Sequence, residues 1–144
     1  MAGKFPLVMD TCALRNWDFM KWLGSYHGKK IISSIVYAEF SSHMLKRRME
    51  QHKIIKFLRD AGIDITAFNE EHAQAAASFM YETTEEYYCE VCKNTNWNDC
   101  LIAAHAPLPP YILVTENTKD FYSLLGEKRV KTPNEIMYPE RPTD

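Results

Sequence analysis

Short apolar runs alternate along this chain with longer stretches whose apolar positions recur at helical spacing. Residues 4–9 are the first such run and read as a buried strand ending in Asp10-Thr11. Residues 11–23 carry Leu14, Trp17, Phe19, Met20, Trp22 and Leu23 among charges, the pattern of a short amphipathic helix stopped by Gly24. Lys29 to Ser33 reads as a second strand, with Ser33 or Ser34 able to cap the helix that follows. That helix is long on pattern, running from about Ile35 towards Asp60 with a break near Gln51-His52, and Gly62 closes it. Ile63 to Phe68 reads as a short strand, and residues 69–88 as a helix opened by Asn69, with Glu70 and Glu71 suited to its positive end. Tyr87 to Asn98 is a polar connection, and Asp99 to Ala106 is helical until Pro107 stops it. Tyr111 to Thr115 is another apolar strand, Phe121 to Leu125 one or two helical turns ended by Gly126, and Arg129 to Thr132 a last edge strand.

Strands alternating with helices predict an α/β fold, a three-layer α/β/α sandwich around a mostly parallel central sheet with right-handed connections. Residues 1–138 are expected to form that one domain and 139–144 a loose tail. A length of 144 residues, 46% hydrophobic and 25% charged, suits a single globular domain with a real core. No apolar run approaches a membrane span, and Phe5 to Met9 is too short for the apolar stretch of a signal peptide. A cytoplasmic protein is expected. The formal net charge of −2 gives no overall attraction to nucleic acid, so any polyanion must be met by a local basic patch plus metal.

Four cysteines, Cys12, Cys89, Cys92 and Cys100, do not make a disulfide framework in such a compartment. Cys89 and Cys92 form a lone C-x-x-C with no second pair. Plain thiols are expected, with no bound zinc. The alternative is a structural zinc site completed by Cys100 or His105.

The chemistry-bearing signal is a set of acids at strand–helix junctions: Asp10, Glu39, Asp99 and Asp120. Taken singly, Asp10, Asp99 and Asp120 each read equally as helix N-caps. Glu39 is harder to dismiss, because Ile35, Val36 and Phe40 beside it look buried. In a parallel sheet those junctions converge on one crevice at the carboxyl ends of the strands. Carboxylates gathered there repel one another unless a cation is shared, and hard oxygen donors favour Mg²⁺ or Mn²⁺. Thr11, Thr115 and Asn117 are short polar neighbours able to orient the carboxylates.

With these motifs in order, the chain resembles the PIN-domain ribonucleases, in particular the small single-domain toxins of the VapC type. The resemblance is carried by Val8-Met9-Asp10-Thr11-Cys12-Ala13-Leu14, by Ser33 to Phe40 around Glu39, by Asn98-Asp99-Cys100-Leu101-Ile102-Ala103-Ala104-His105-Ala106, and by Leu113 to Phe121 around Asp120. It implies a Mg²⁺- or Mn²⁺-dependent endoribonuclease with Asp10, Glu39, Asp99 and Asp120 as catalytic metal ligands, a small antitoxin protein as partner, and a homodimer. The chain departs from the pattern at Asn117, where many relatives carry Asp, and at Cys12, where Asn or Ser is common.

Along the long predicted helix, Glu39, His43, Lys46, Glu50 and Lys53 share a stripe flanked by Arg47 and Arg48. His43, Lys46 and Arg47 make a plausible RNA phosphate track; a solvated charged face is the plain alternative. Trp17, Tyr37 and Trp97 could stack bases or belong to the core. A housekeeping PIN nuclease of RNA processing and a non-catalytic metal- or phosphate-binding regulator are the rival functions. A receiver domain would want an acidic pair before Asp10, and an aspartyl phosphatase a second Asp at position 12, which is Cys.

Overall fold

A computed structural model describes residues 5–83 and 97–139. The described chain runs β1 (Leu7–Met9), α1 (Thr11–Leu14), α2 (Trp17–Leu23), β2 (Lys30–Ser33), α3 (Ser34–Lys46), α4 (Gln51–Asp60), β3 (Asp64–Thr66), α5 (Glu70–Thr83), α6 (Trp97–Ala103), β4 (Ile112–Val114), α7 (Thr118–Leu125), a 3₁₀ turn (Glu127–Arg129), β5 (Val130–Lys131) and α8 (Pro133–Met137). The five strands form one sheet in the order β3-β2-β1-β4-β5, and every pairing is parallel. β1 and β4 are wholly apolar and β2 is wholly buried, as strands covered on both faces by helices require. Right-handed crossovers place α1–α4 on one face and α5–α7 on the other, and α8 packs back on α2. The three-layer α/β/α architecture is the expected one.

Two expected helices are each divided. The stretch 11–23 splits at Asn16, whose side chain accepts the Phe19 N–H and starts α2 afresh. The stretch from Ile35 towards Asp60 breaks at 47–50, slightly before the expected Gln51-His52. Both α3 and α4 end in the same device, in which two backbone N–H groups beyond the helix bond back to its last carbonyls. After α4 these are Gly62 N–H to Arg59 O and Ile63 N–H to Leu58 O. After α3 they are Arg48 N–H to Leu45 O and Met49 N–H to Met44 O. The device needs one left-handed residue: Gly62 supplies it at φ 79°, and Arg48 at φ 67°. Gly62 is needed twice over, since a Cβ there would lie 2.8 Å from the Lys30 Nζ, which is itself buried and donates to the Leu23 carbonyl at the end of α2.

The remaining differences are smaller. α6 already includes Trp97 and Asn98, so Asp99 lies inside it instead of opening it. α7 starts at Thr118, which puts Asp120 inside its first turn. The far end of the expected helix 69–88, with Cys89 and Cys92, lies outside the described residues.

Candidate functional site

The carboxyl ends of β1 and β4 lie side by side at the centre of the sheet, and the chain leaves each of them straight into a helix. Asp10, the N-cap of α1, is buried. Its Oδ1 accepts the Thr11 N–H at 2.7 Å and its Oδ2 accepts the Thr115 hydroxyl at 2.9 Å. Glu39 projects from α3 at the margin of the face that buries Val36 and Phe40, and is itself exposed. Thr11 Oγ1 donates to Glu39 Oε1 at 2.8 Å, and Asn98 Nδ2 donates to its Oε2 at 3.1 Å. Loop residue Thr115 is fully buried; its Oγ1 accepts the Asn117 N–H at 3.0 Å. Asn117 itself is the N-cap of α7, but its side chain makes no cap bond.

Asp99 shows how the four acids are related. Its carboxyl is pushed up to about 6, first by burial and then by the charges of Asp120, Asp10 and Glu39. Acids from four separate segments therefore share one electrostatic neighbourhood. Among the described residues no three His, Cys, Asp or Glu side chains already stand at ligand spacing. The donor chemistry nevertheless suits a hard divalent cation, since every acid is an oxygen donor and the charges of the other three add to the burial that raises Asp99.

Asn98 was not singled out from the sequence, although it sits directly before Asp99 and holds Glu39. Arg15 was also missed. The His43 ring is held below its ordinary pKa by partial desolvation and then by Arg15, Arg47 and Lys46, which places Arg15 with the three basic residues predicted for RNA. No pattern in α1 announced it, because the α1 C-cap meets α3 only in the fold. Glu50 and Lys53 leave the predicted stripe, since α3 ends at Lys46. Trp17 packs edge-on against Phe57 between α2 and α4, away from the carboxylates. A cavity of about 700 Å³ lies at the amino ends of β1 and β4, walled by Trp22, Tyr26, Ile112, Ile136 and Met137. It holds none of the four acids.

No curated protein matches the chain in sequence. Among solved structures, a toxin–antitoxin complex from Klebsiella pneumoniae shares the fold at 23% identity and a TM-score of 0.63, over 88% of this chain and 97% of that one. VapBC2 from Rickettsia felis, bound to a DNA fragment from its promoter, does so at 20% identity and 0.60, over 88% and 97%. DNA-bound VapBC from Salmonella typhimurium does so at 15% and 0.59, over 90% and 98%. At these identities the likeness is one of fold. The family described as PIN domain matches residues 15–124, a span that takes in Glu39, Asp99 and Asp120 and begins just after Asp10. A parallel sheet with acids gathered at its carboxyl edge is thus found in a chain that belongs to the PIN domain family.

Proposed function

We propose that this protein is a Mg²⁺- or Mn²⁺-dependent endoribonuclease and the toxin of a toxin–antitoxin pair. The observation that carries the reading is the gathering of four acids from separate segments at one edge of the sheet, where the Asp99 carboxyl is pushed up first by burial and then by the charges of Asp120, Asp10 and Glu39. Asp10, Glu39, Asp99 and Asp120 would hold the cation. When bound, the cation supplies Lewis acidity, lowering the pKa of water and offsetting charge on the attacked phosphate. Thr11 and Asn98 fix the Glu39 carboxylate from both oxygens, and Thr115 fixes Asp10. Asp99, with its carboxyl near 6, can accept a proton close to neutral pH when no cation neutralises it. Arg15, His43, Lys46 and Arg47 would take the backbone phosphates on either side of the cut.

The partner reading draws on the structural neighbours, whose titles describe toxin–antitoxin complexes. Two shallow grooves suit an antitoxin segment: one between α2 and α4 lined by Trp17, Met20 and Phe57, and one along α3 lined by Tyr37, Ala38 and Leu45. A homodimer is proposed with it. Among the described residues no helix is long and apolar enough to cross a membrane.

Cleavage of RNA by the purified chain in Mn²⁺, with and without chelator, tests the enzyme. Asp10→Asn and Asp99→Asn should each remove the cleavage and keep the fold; wild-type cleavage by either variant, or cleavage that survives chelation, rejects the site. Native expression with its neighbouring genes should bring down a small protein in stoichiometric amount, and a chain that purifies alone argues for the housekeeping nuclease instead.

A further inference from the structure

Asp10 is steered from a second direction, by a thiol. Cys12 Sγ lies 3.6 Å from Asp10 Oδ2 and 3.3 Å from Thr115 Oγ1. The same sulfur accepts the Glu116 N–H at 3.2 Å. Thr115 spends its hydroxyl proton on Asp10, so its oxygen is left to accept, and it does so from Asn117 N–H. The single thiol proton is then shared between Asp10 Oδ2 and Thr115 Oγ1. Cys12 belongs to α1, whereas Thr115, Glu116 and Asn117 form the loop that launches α7 and Asp120. One side chain therefore bridges the two halves of the acidic edge.

We propose that Cys12 is a positioning residue for the metal site: through Asp10 and the Thr115–Asn117 loop it holds the Asp10 carboxylate at a fixed distance from the segment that carries Asp120. The inference rests on the metal-dependent reading above and deepens it. A thiol reaches further than a hydroxyl, which suits a gap of 3.2–3.6 Å to all three partners.

The test compares Cys12→Ala, Cys12→Val and Cys12→Ser in the full chain. Val fills similar volume without a donor and guards against a loss that is only packing. Mn²⁺ affinity is measured by calorimetry, and the thermal midpoint in chelator is recorded beside it. We expect Ala and Val to bind Mn²⁺ about 10-fold more weakly than wild type, with kcat reduced more than KM is raised, and Ser, a donor of shorter reach, to recover part of the affinity. Unchanged Mn²⁺ affinity in both Ala and Val overturns the proposal, as does a Ser variant no better than Ala. If wild type binds no Mn²⁺ at all, the metal-dependent reading itself fails and takes this inference with it.

Discussion

Helix α6 has a titratable group at each end, and the two meet opposite fates. Asp99 stands in its first turn and His105 just past its last residue. His105 is buried with neither ring nitrogen hydrogen-bonded among the described residues, and Asp99 is half withdrawn from water. The His105 ring stacks on His72 with ring centroids 3.9 Å apart, and Phe68 closes over both rings. Its pKa is driven down to about 4, first by burial and then by His72, so at neutral pH it is uncharged and at rest. Asp99 is raised to about 6 and is mostly ionised at pH 7, amid three more carboxylates. Burial alone therefore does not mark a functional group. What separates the two ends is whether the buried group can shed its charge or needs a counter-ion from outside.

The largest effect expected is on activity. Asp99→Asn should lower Mn²⁺-dependent RNA cleavage by at least about 10²-fold, whereas His105→Phe should leave it within a few-fold. Kinetics on a short RNA decide this, and a silent Asp99→Asn would break the comparison outright.

Next comes the pH dependence of stability in chelator. The folded pKa of His105 lies below its unfolded value of 6.5, so the unfolded chain binds the extra proton and His105 costs stability as pH falls from 6.5 towards 4. That loss approaches about 3 kcal/mol at full shift. The folded pKa of Asp99 lies above its unfolded value of 3.8, so the folded chain binds the extra proton and stability is lost as pH rises from 3.8 through 6. Discounted for its half exposure, that loss is about 1 kcal/mol. The two slopes oppose each other between pH 4 and 6. Urea titrations should show that His105→Phe flattens the acid loss, whereas Asp99→Asn steepens it. Parallel curves for the two variants would refute the contrast.

A proton count sharpens it further. Near pH 6, Mn²⁺ binding should release about half a proton from wild type and from His105→Phe, and close to none from Asp99→Asn. Calorimetry in buffers of different ionisation enthalpy reads this directly. The smallest effect concerns the origin of the Asp99 shift. Because burial is its largest cause, Asp120→Asn should lower the Asp99 pKa by only about a few tenths of a unit, seen by carboxyl carbon NMR. A full return to the ordinary range would make charge, and not burial, the chief cause.

The alternation of strands and helices was legible because each strand is a short apolar run with polar punctuation, and the four acids were legible because all stand at strand–helix junctions or just inside a helix. The divided helices were less so. Asn16 interrupts an apolar pattern that continues on both sides of it, and only its bond to Phe19 N–H shows the break. Arg48 takes the left-handed place that glycine signals elsewhere, so no residue type announced where α3 ends. Asn98 and Arg15 act on partners from other segments, and the His72–His105 stack joins α5 to the end of α6. Such long-range pairings leave no periodic trace in a single sequence.

The strand order has a consequence for how the chain is made. β1 can pair with β2 as soon as both exist, but its other edge waits for β4, and Cys12 meets Thr115 across 103 positions of sequence. Synthesis runs from the N-terminus, and contacts so distant along the chain form late. A nascent chain with β1, β2 and α3 presents Asp10 and Glu39, but Asp99 and Asp120 have yet to be added. If the assembled edge cuts RNA, the growing polypeptide is unarmed towards the message that encodes it until β4 and α7 have left the ribosome.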